Sequence, residues 1–366
     1  MKTDKYHIRF FRVGDASKGG DAIVIEVFDE SDKPHIAIID GGYAGDGQKI
    51  VDYLVGKYSN GGKDKVSVDF VFNTHPDQDH ISGLKTVLES DKLKIGYLLY
   101  NRPWKDAGLT KEWFSDGRIT KDSLVNRIKE SFGIADELES LANKKGIKIH
   151  KVKAGLSCWN GVLQALGPSD NLYKNNLLVS DKTPDSFLSK YNKGYQPSKL
   201  SEEDYEPKKG EAIEWIDGEE TSEINQTSII LALILGNFNF LFTGDAGKAA
   251  LNEALDYWES QGHSASDFSV VQLPHHGSRK NIDPSILSRL NASEYIISCP
   301  PDGIKEGHPS RRLINKILEL NSGVKIYTTA DCSSFNFHKG VPVHYNTQEP
   351  KTIYPKMDGK AESVVK

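Results

Sequence analysis

The sequence predicts a mixed α+β protein. Two observations carry that prediction: the opening segments read as strands in a meander, and the later half alternates strands with helices. "HIRFFRV" and "DAIVIEVFD" are dense in β-branched and aromatic residues, and "HIAIIDGG" runs into two glycines that stop a strand. "GQKIVDYLVGKY" has helical spacing, "SVDFVFNTH" reads as another buried strand, and "ISGLKTVLESDK" as a helix beginning just beyond it. From about residue 100 to 142 the chain reads as a polar helical insertion, "SLVNRIKESFGIADELESLANKK". From about residue 181 to 222 it reads as a polar surface insertion or lid without periodicity, a candidate contact for a protein partner. Strands return in "TSIILALILGNFNFLFTGD". The helix "KAALNEALDYWESQ", the strand "FSVVQLPHHGS", a helix, the strand "EYIISCP", the helix "RRLINKILELN" and the strand "VKIYTTA" follow. No internal repeat of fixed period is present. The expected organisation is one domain over 1–345 and a polar tail over 346–366.

At 366 residues the chain suffices for one large domain with insertions or for two smaller ones. Its 37% hydrophobic and 27% charged residues are those of an ordinary globular protein. No run approaches the roughly 20 apolar residues of a membrane span, and "MKTDKYHIRFF" lacks a signal-peptide core. Cys158, Cys299 and Cys332 are far apart and form no CxxC pair, which argues for a reducing compartment. The expectation is a cytoplasmic protein with no membrane partner. A net charge of −5 and a pI near 6.1 exclude a globally basic surface, so a phosphate substrate must be held locally.

The chemistry concentrates in "FNTHPDQDHISG". His75 and Asp77 are two apart, so on an extended segment both point to one side; Asp79 shares that phase and His80 is adjacent. Imidazole nitrogen with carboxylate oxygen suits zinc, manganese or iron, and carboxylates this close repel without a cation. A solvated acidic loop with incidental histidines is the bland alternative. Further along, Asp245 ends the apolar strand "FNFLFTGD", as a site residue at a sheet rim or as the N-cap of the helix behind it. "QLPHHGSRKN" repeats the arrangement with His275 and His276 after a strand, and "KEGHPSRRL" places His308 ahead of a helix. "GGYAGDGQK" lacks the spacing of a nucleotide-binding loop. The Tyr and Trp residues around 97–113 suit lid or core packing better than base stacking.

"HPDQDH" resembles the HxHxDH signature of the metallo-β-lactamase fold, with Asp77 in place of the second histidine. One branch is resembled more closely, the hydrolase domain of the ComEC competence proteins and their stand-alone relatives. "VGDASKGGDAIVIE" is similar to its VGQGDAxxIE opening, "IIDGG" to LIDTG, "LFTGD" to LLTGD, "LPHHGS" to VPHHGS and "GHPS" to GHP, in the same order. The resemblance implies an αβ/βα sandwich of two mixed sheets flanked by helices. It implies two divalent metal ions, zinc or manganese: His75 and Asp77 on the first, Asp79 and His80 on the second, Asp245 bridging, and His308 as the last metal histidine. By the same resemblance His276 lies on the substrate side as phosphate contact or proton donor, with His275 as a substrate contact or a ligand instead. The fold's usual further histidine on the first metal is missing. His150 is misplaced for it, and Asn225, Thr227 or Ser228 in "EINQTSII" occupy the expected position.

The resulting expectation is a metal-dependent phosphodiesterase, a nuclease acting on DNA, in which Asp79 also orients the attacking water. Ser278, Arg279 and Lys280 are candidate phosphate contacts, or Arg279 and Lys280 are a surface pair at a helix start. Hydrolysis of a small ester, lactone or nucleotide signal is the alternative activity. A catalytically weak subunit regulated by a protein partner is the non-catalytic one.

Overall fold

The computed structural model describes residues 2–15, 18–61, 63–188, 214–217, 219–236, 238–300, 307–330, 343–345 and 352–353. Most of the expected 181–222 insertion, the tail beyond 353 and Cys332 lie outside these residues.

Two mixed sheets pack face to face. The first is built from β1 (Lys2–Phe10), β2 (Ala22–Phe28), β3 (Pro34–Gly41), β4 (Val66–Phe72), β5 (Leu93–Leu99) and β6 (Lys148–His150). The second contains β7 (Ser157–Cys158), β8 (Leu163–Gly167), β9 (Ile230–Leu235), β10 (Phe238–Phe242), β11 (Phe268–Gln272), β12 (Glu294–Ile297), β13 (Lys325–Thr328) and β14 (Val343–Tyr345). β15 (Thr352–Ile353) closes the outer edge of the first sheet against β1. Each sheet starts antiparallel, through β1–β2–β3 and β7–β8–β9–β10, and becomes parallel where helices supply the crossovers. The meander followed by alternation, read from the sequence, is this change of direction.

Period-two alternation divides each strand between two cores. In β2, Ile23, Ile25 and Val27 face the second sheet, while Ala22 and Val24 face the outer helices. β9 and β10 do the same, with Leu231, Leu233, Phe240 and Phe242 between the sheets and Ile230, Ala232 and Leu241 outside. Strands buried on both faces must read as nearly continuous apolar runs; "IILALIL" does so without a break, and "AIVIEVF" is interrupted only by Glu26, which is buried and paired with Lys57 at 2.8 Å. Outside the first sheet lie α1 (Asp46–Tyr58), α2 (Gln78–Glu89), α3 (Lys121–Ser131), α4 (Gly133–Lys145) and α5 (Asp170–Val179). Outside the second lie α6 (Lys248–Ser260), α7 (Pro284–Leu290) and α8 (Arg311–Leu320).

α3 and α4 account for the helical reading of the 100–142 region. They are amphipathic rather than simply polar, burying Leu124, Ile128, Leu138 and Ala142 in the outer core of the first sheet. The aromatic residues ahead of them are packing groups: the Tyr100 hydroxyl donates to the Ala135 carbonyl at 3.2 Å, and the Trp104 indole to Glu139 at 3.1 Å.

α2 is held close to β3 by glycine. A Cβ on Gly83 would fall 1.9 Å from the Gly41 carbonyl oxygen, and one on Gly47 would fall 2.1 Å from the Gly83 oxygen. That three-way approach sets the height of the first turn of α2, where Asp79 and His80 lie. Among the described residues no helix is long and apolar enough to cross a membrane.

Candidate metal centre

The site lies where strands of both sheets end. His75 follows β4, Asp77 occupies the N-cap position of α2, and Asp79 and His80 lie in its first turn. Asp245 follows β10 and His275 and His276 follow β11, so both sheets contribute from the ends of their strands. The alternative of Asp245 as a helix cap does not hold, because α6 starts at Lys248 with Gly247 in the cap position. His275, His276 and Gly277 all have positive φ, 47°, 57° and 81°. For histidine that conformation is uncommon and marks a turn imposed by its surroundings. The Gly277 carbonyl accepts from Ser310 N at 2.9 Å, which brings the segment carrying His308 alongside.

Asp245 sits between the imidazoles. Its Oδ2 is 3.5 Å from His75 Nε2 and 3.6 Å from His275 Nε2, and its Oδ1 is 3.3 Å from His80 Nε2. Asp77 Oδ2 lies 3.7 Å from His75 Nε2, while Asp77 Oδ1 accepts from Lys182 Nζ at 3.0 Å. On the other side Asp79 Oδ2 is 3.7 Å from His80 Nε2 and 3.4 Å from His276 Nε2. Among the described residues three compact groups result: His75–His80–Asp245 and Asp79–His80–His276 around the His80 Nε2 side, and Asp21–Asp40–His80 behind it.

His80 reports most directly on what the site is built to hold. Its Nδ1 faces Asp40 Oδ2 at 2.7 Å, so that nitrogen carries the proton and donates. The remaining Nε2 then turns a lone pair toward carboxylate oxygens. Acceptor facing acceptor in a buried site requires a proton or a metal ion between them. His75 Nε2, His80 Nε2 and Asp245 Oδ1 are all buried without a hydrogen-bond partner. Buried polar atoms are normally satisfied, so this donor set fits a divalent cation.

The protonation preferences of the metal-free chain point the same way. Burial alone would lower the pKa of His80, yet Asp245, Asp79 and Asp40 together raise it well above the ordinary value. His276 is raised to about 9, because its bond to Asp79 and the charges of Asp245 and Asp21 outweigh burial. His75, with burial first and His80 second, is lowered. Asp245 would be raised by burial, but His275, His80 and His75 hold it well below the usual carboxylate range. A proton on His80 or His276 occupies the place a cation would take.

The remaining candidates are distributed unevenly. His276 Nδ1 faces the Ser298 carbonyl at 2.8 Å and must donate to it, which aims Nε2 at Asp79. His308 lies beside His275, ring centroids 5.1 Å apart and planes tilted by 37°, and joins none of the donor groups found among the described residues. Its pKa falls well below the ordinary value through burial and the neighbouring His275 and His276. Asn225 lies against His275 rather than His75, with Nδ2 3.3 Å from His275 Nδ1. Thr227 and Ser228 are buried nearby, the Thr227 hydroxyl donating to the Ile224 carbonyl. Ser278 and Arg279 are fully buried, and the Arg279 guanidinium donates to the Ile216 carbonyl at 3.2 Å, so this arginine points into the protein. Lys280 is partly exposed.

Sequence reasoning passed over Asp40 and Asp21 as site residues although both stand in the quoted motifs. Asp40 is completely buried with φ 55°, and it also accepts from Thr74 N at 2.7 Å and Asn73 Nδ2 at 3.2 Å. Asp21 accepts from Gln272 Nε2 at 2.8 Å, and its Oδ2 lies 3.8 Å from His80 Nδ1. The available signal was an acid closing a strand that is apolar on both faces, "IAIID".

A sandwich of two mixed sheets with histidines and carboxylates converging at the strand ends defines a metallohydrolase fold. The sequence profile of the metallo-beta-lactamase superfamily matches residues 19–302, and the chain belongs to that superfamily. The superfamily is hydrolytic and typically binds divalent metal ions, which the donor groups here fit. Solved structures with a similar fold include a long form RNase Z from yeast, at 10% identity and a TM-score of 0.41, over 98% of this chain and 43% of that one. A mutant of the CmlA beta-hydroxylase is similar at 12% identity and a TM-score of 0.41, over 88% of this chain and 52% of that one. The chain therefore spans about half the length of these structures. No curated protein matches it.

Proposed function

We propose that this protein is a metal-dependent phosphodiesterase, a nuclease acting on DNA, built around two divalent ions that share Asp245. The observation that carries the reading is the division of that carboxylate, with Oδ2 toward His75 at 3.5 Å and Oδ1 toward His80 at 3.3 Å. His75, Asp77 and His275 would hold one ion with Oδ2, His275 standing in for the missing histidine. Asp79, His80 and His276 would hold the other with Oδ1. In this layout His276 moves from the substrate side to a ligand position, and His308 moves to the flank. Carboxylate-rich donors favour manganese over zinc relative to an all-histidine set.

Divalent ions in such a pair supply Lewis acidity and a more acidic water at neutral pH. The protein supplies orientation. Asp40 fixes the tautomer of His80, and the Ser298 carbonyl fixes that of His276, each leaving Nε2 as the donor. Burial would raise the Asp79 pKa, but His80 and His276 lower it to about 2, so it stays ionised and can accept a hydrogen bond from water. Lys280 lies close enough to His308 to depress its basicity, and adds positive charge for a phosphate. The ComEC-like order of motifs supports DNA as the substrate. The net charge of −5 supports the alternative of a small phosphodiester signal over a long duplex.

The test is a panel of linear DNA, RNA, a cyclic dinucleotide and a generic phosphodiester, with manganese or zinc, on wild type and Asp245→Ala. Metal-dependent cleavage of DNA that disappears in the variant is expected. Cleavage of a lactone or carboxylic ester in place of every phosphodiester would overturn the reading.

A further inference from the structure

Asp77 stands where the HxHxDH pattern has a second histidine, and it is only half engaged by the donor cluster. One oxygen approaches His75 at 3.7 Å; the other is bound by Lys182 Nζ at 3.0 Å. Among the described residues Asp77 joins none of the compact groups, whereas Asp79 on the other side joins His80 and His276 directly. Lys182 is placed by a short turn: its amide donates to Ser180 Oγ at 3.1 Å, and its ammonium lies 5.5 Å from the Phe132 ring centroid. It reaches Asp77 across 105 residues of sequence.

We propose that Lys182 is an internal counter-cation of the first metal site, and that it makes the two sites unequal. This rests on the two-ion reading above. The ammonium neutralises Asp77 and occupies one of its oxygens, so an ion entering beside His75 must displace Lys182 or tolerate a positive charge close by. The second site has no lysine in its place: Asp79 faces imidazoles, and an ion entering there displaces a proton that exchanges freely with solvent instead of a tethered ammonium. The wild-type chain then holds one ion tightly, at Asp79, His80, His276 and Asp245, and admits a second only at higher concentration. Lys182 is a positioning residue in this scheme and sets metal stoichiometry. Both partners of the ion pair are about one-third exposed, 36% and 33%, so a modest interaction keeps the ammonium displaceable.

Manganese titration of the metal-free full chain, by calorimetry and by elemental analysis after gel filtration, tests this without measuring activity. Wild type should show one tight and one weak ion. Lys182→Met keeps the apolar stem against Phe132 and should tighten the weak ion by about tenfold. Lys182→Gln should do likewise, and Lys182→Arg should behave as wild type. Thermal melts establish that each variant is folded. Isotherms unchanged in Lys182→Met and Lys182→Gln would overturn the proposal, as would loss of the weak ion, which would make Lys182 a support for Asp77 instead. Two equally tight ions in wild type would overturn it while leaving the two-ion reading intact. No ion in any variant would overturn both.

Discussion

Asp40 stands behind the proposed ligands, against His80 directly and His75 through the Thr74 hydroxyl at 3.1 Å, and its carboxylate collects His80 Nδ1, the Thr74 amide and hydroxyl, and the Asn73 side-chain amide. Asp40→Ala would leave these groups buried without an acceptor. At about 1–3 kcal/mol for each buried unpaired group, the loss is about 4 kcal/mol or more even if some relax. Alanine at φ 55° adds about 1 kcal/mol of backbone strain. Against a typical total stability of about 5–15 kcal/mol, that variant is expected to be severely destabilised. Asp40→Asn separates fold from function, because asparagine tolerates positive φ and can still accept from the Thr74 amide. It removes the charge that orients His80, and outer partners of metal-binding histidines are worth roughly 10–100-fold in affinity. Asp40→Asn should therefore fold, losing about 1–3 kcal/mol, while binding manganese at least about tenfold more weakly. Urea denaturation followed by circular dichroism gives the first quantity and metal titration the second. An Asp40→Asn protein with wild-type metal affinity would refute the assignment of Asp40 as the orienting group of His80.

His276→Ala should lower metal content and His308→Ala should leave it near wild type, since His276 Nε2 faces Asp79 while His308 stands behind His275. Elemental analysis of both variants decides, and the opposite result would restore His308 as the ligand. Gly83→Ala should cost about 3 kcal/mol or more, because its Cβ would meet backbone at 1.9 Å. Gly56→Ala, in α1 with open space around it, should stabilise by about 0.5–1 kcal/mol, and denaturant midpoints of the two compare directly. Stripping metal with a chelator should remove about 2.7 kcal/mol of stability for an ion present at 100 times its dissociation constant, and so lower the melting temperature. An unchanged melt after verified metal removal would contradict a bound ion at Asp245.

The sequence by itself determined the architecture. Strands buried on both faces must be nearly continuous apolar runs, helices over them must be amphipathic, and both patterns are local in "AIVIEVF", "IILALIL" and "GQKIVDYLVGKY". It also determined that His75, Asp77, Asp79 and His80 lie together, since they share one loop and one helical turn, and the motif order placed the chain in its superfamily. Only the tertiary structure decided the geometry among distant segments. Asp245 comes between His75 and His80 because the strand ends of two face-to-face sheets converge there, and no spacing in the chain encodes that. Asp40 reaches His80 across 40 residues and Lys182 reaches Asp77 across 105. Which carboxylate His275 and His276 face depends on the positive-φ turn that carries them, with His275 toward Asp245 and His276 toward Asp79. Arg279, read from the sequence as a phosphate contact or half of a surface pair, is buried, with its guanidinium donating to the Ile216 carbonyl. Local pattern fixes which residues can be buried; contact between segments, set by packing many residues away, fixes what a buried polar group faces.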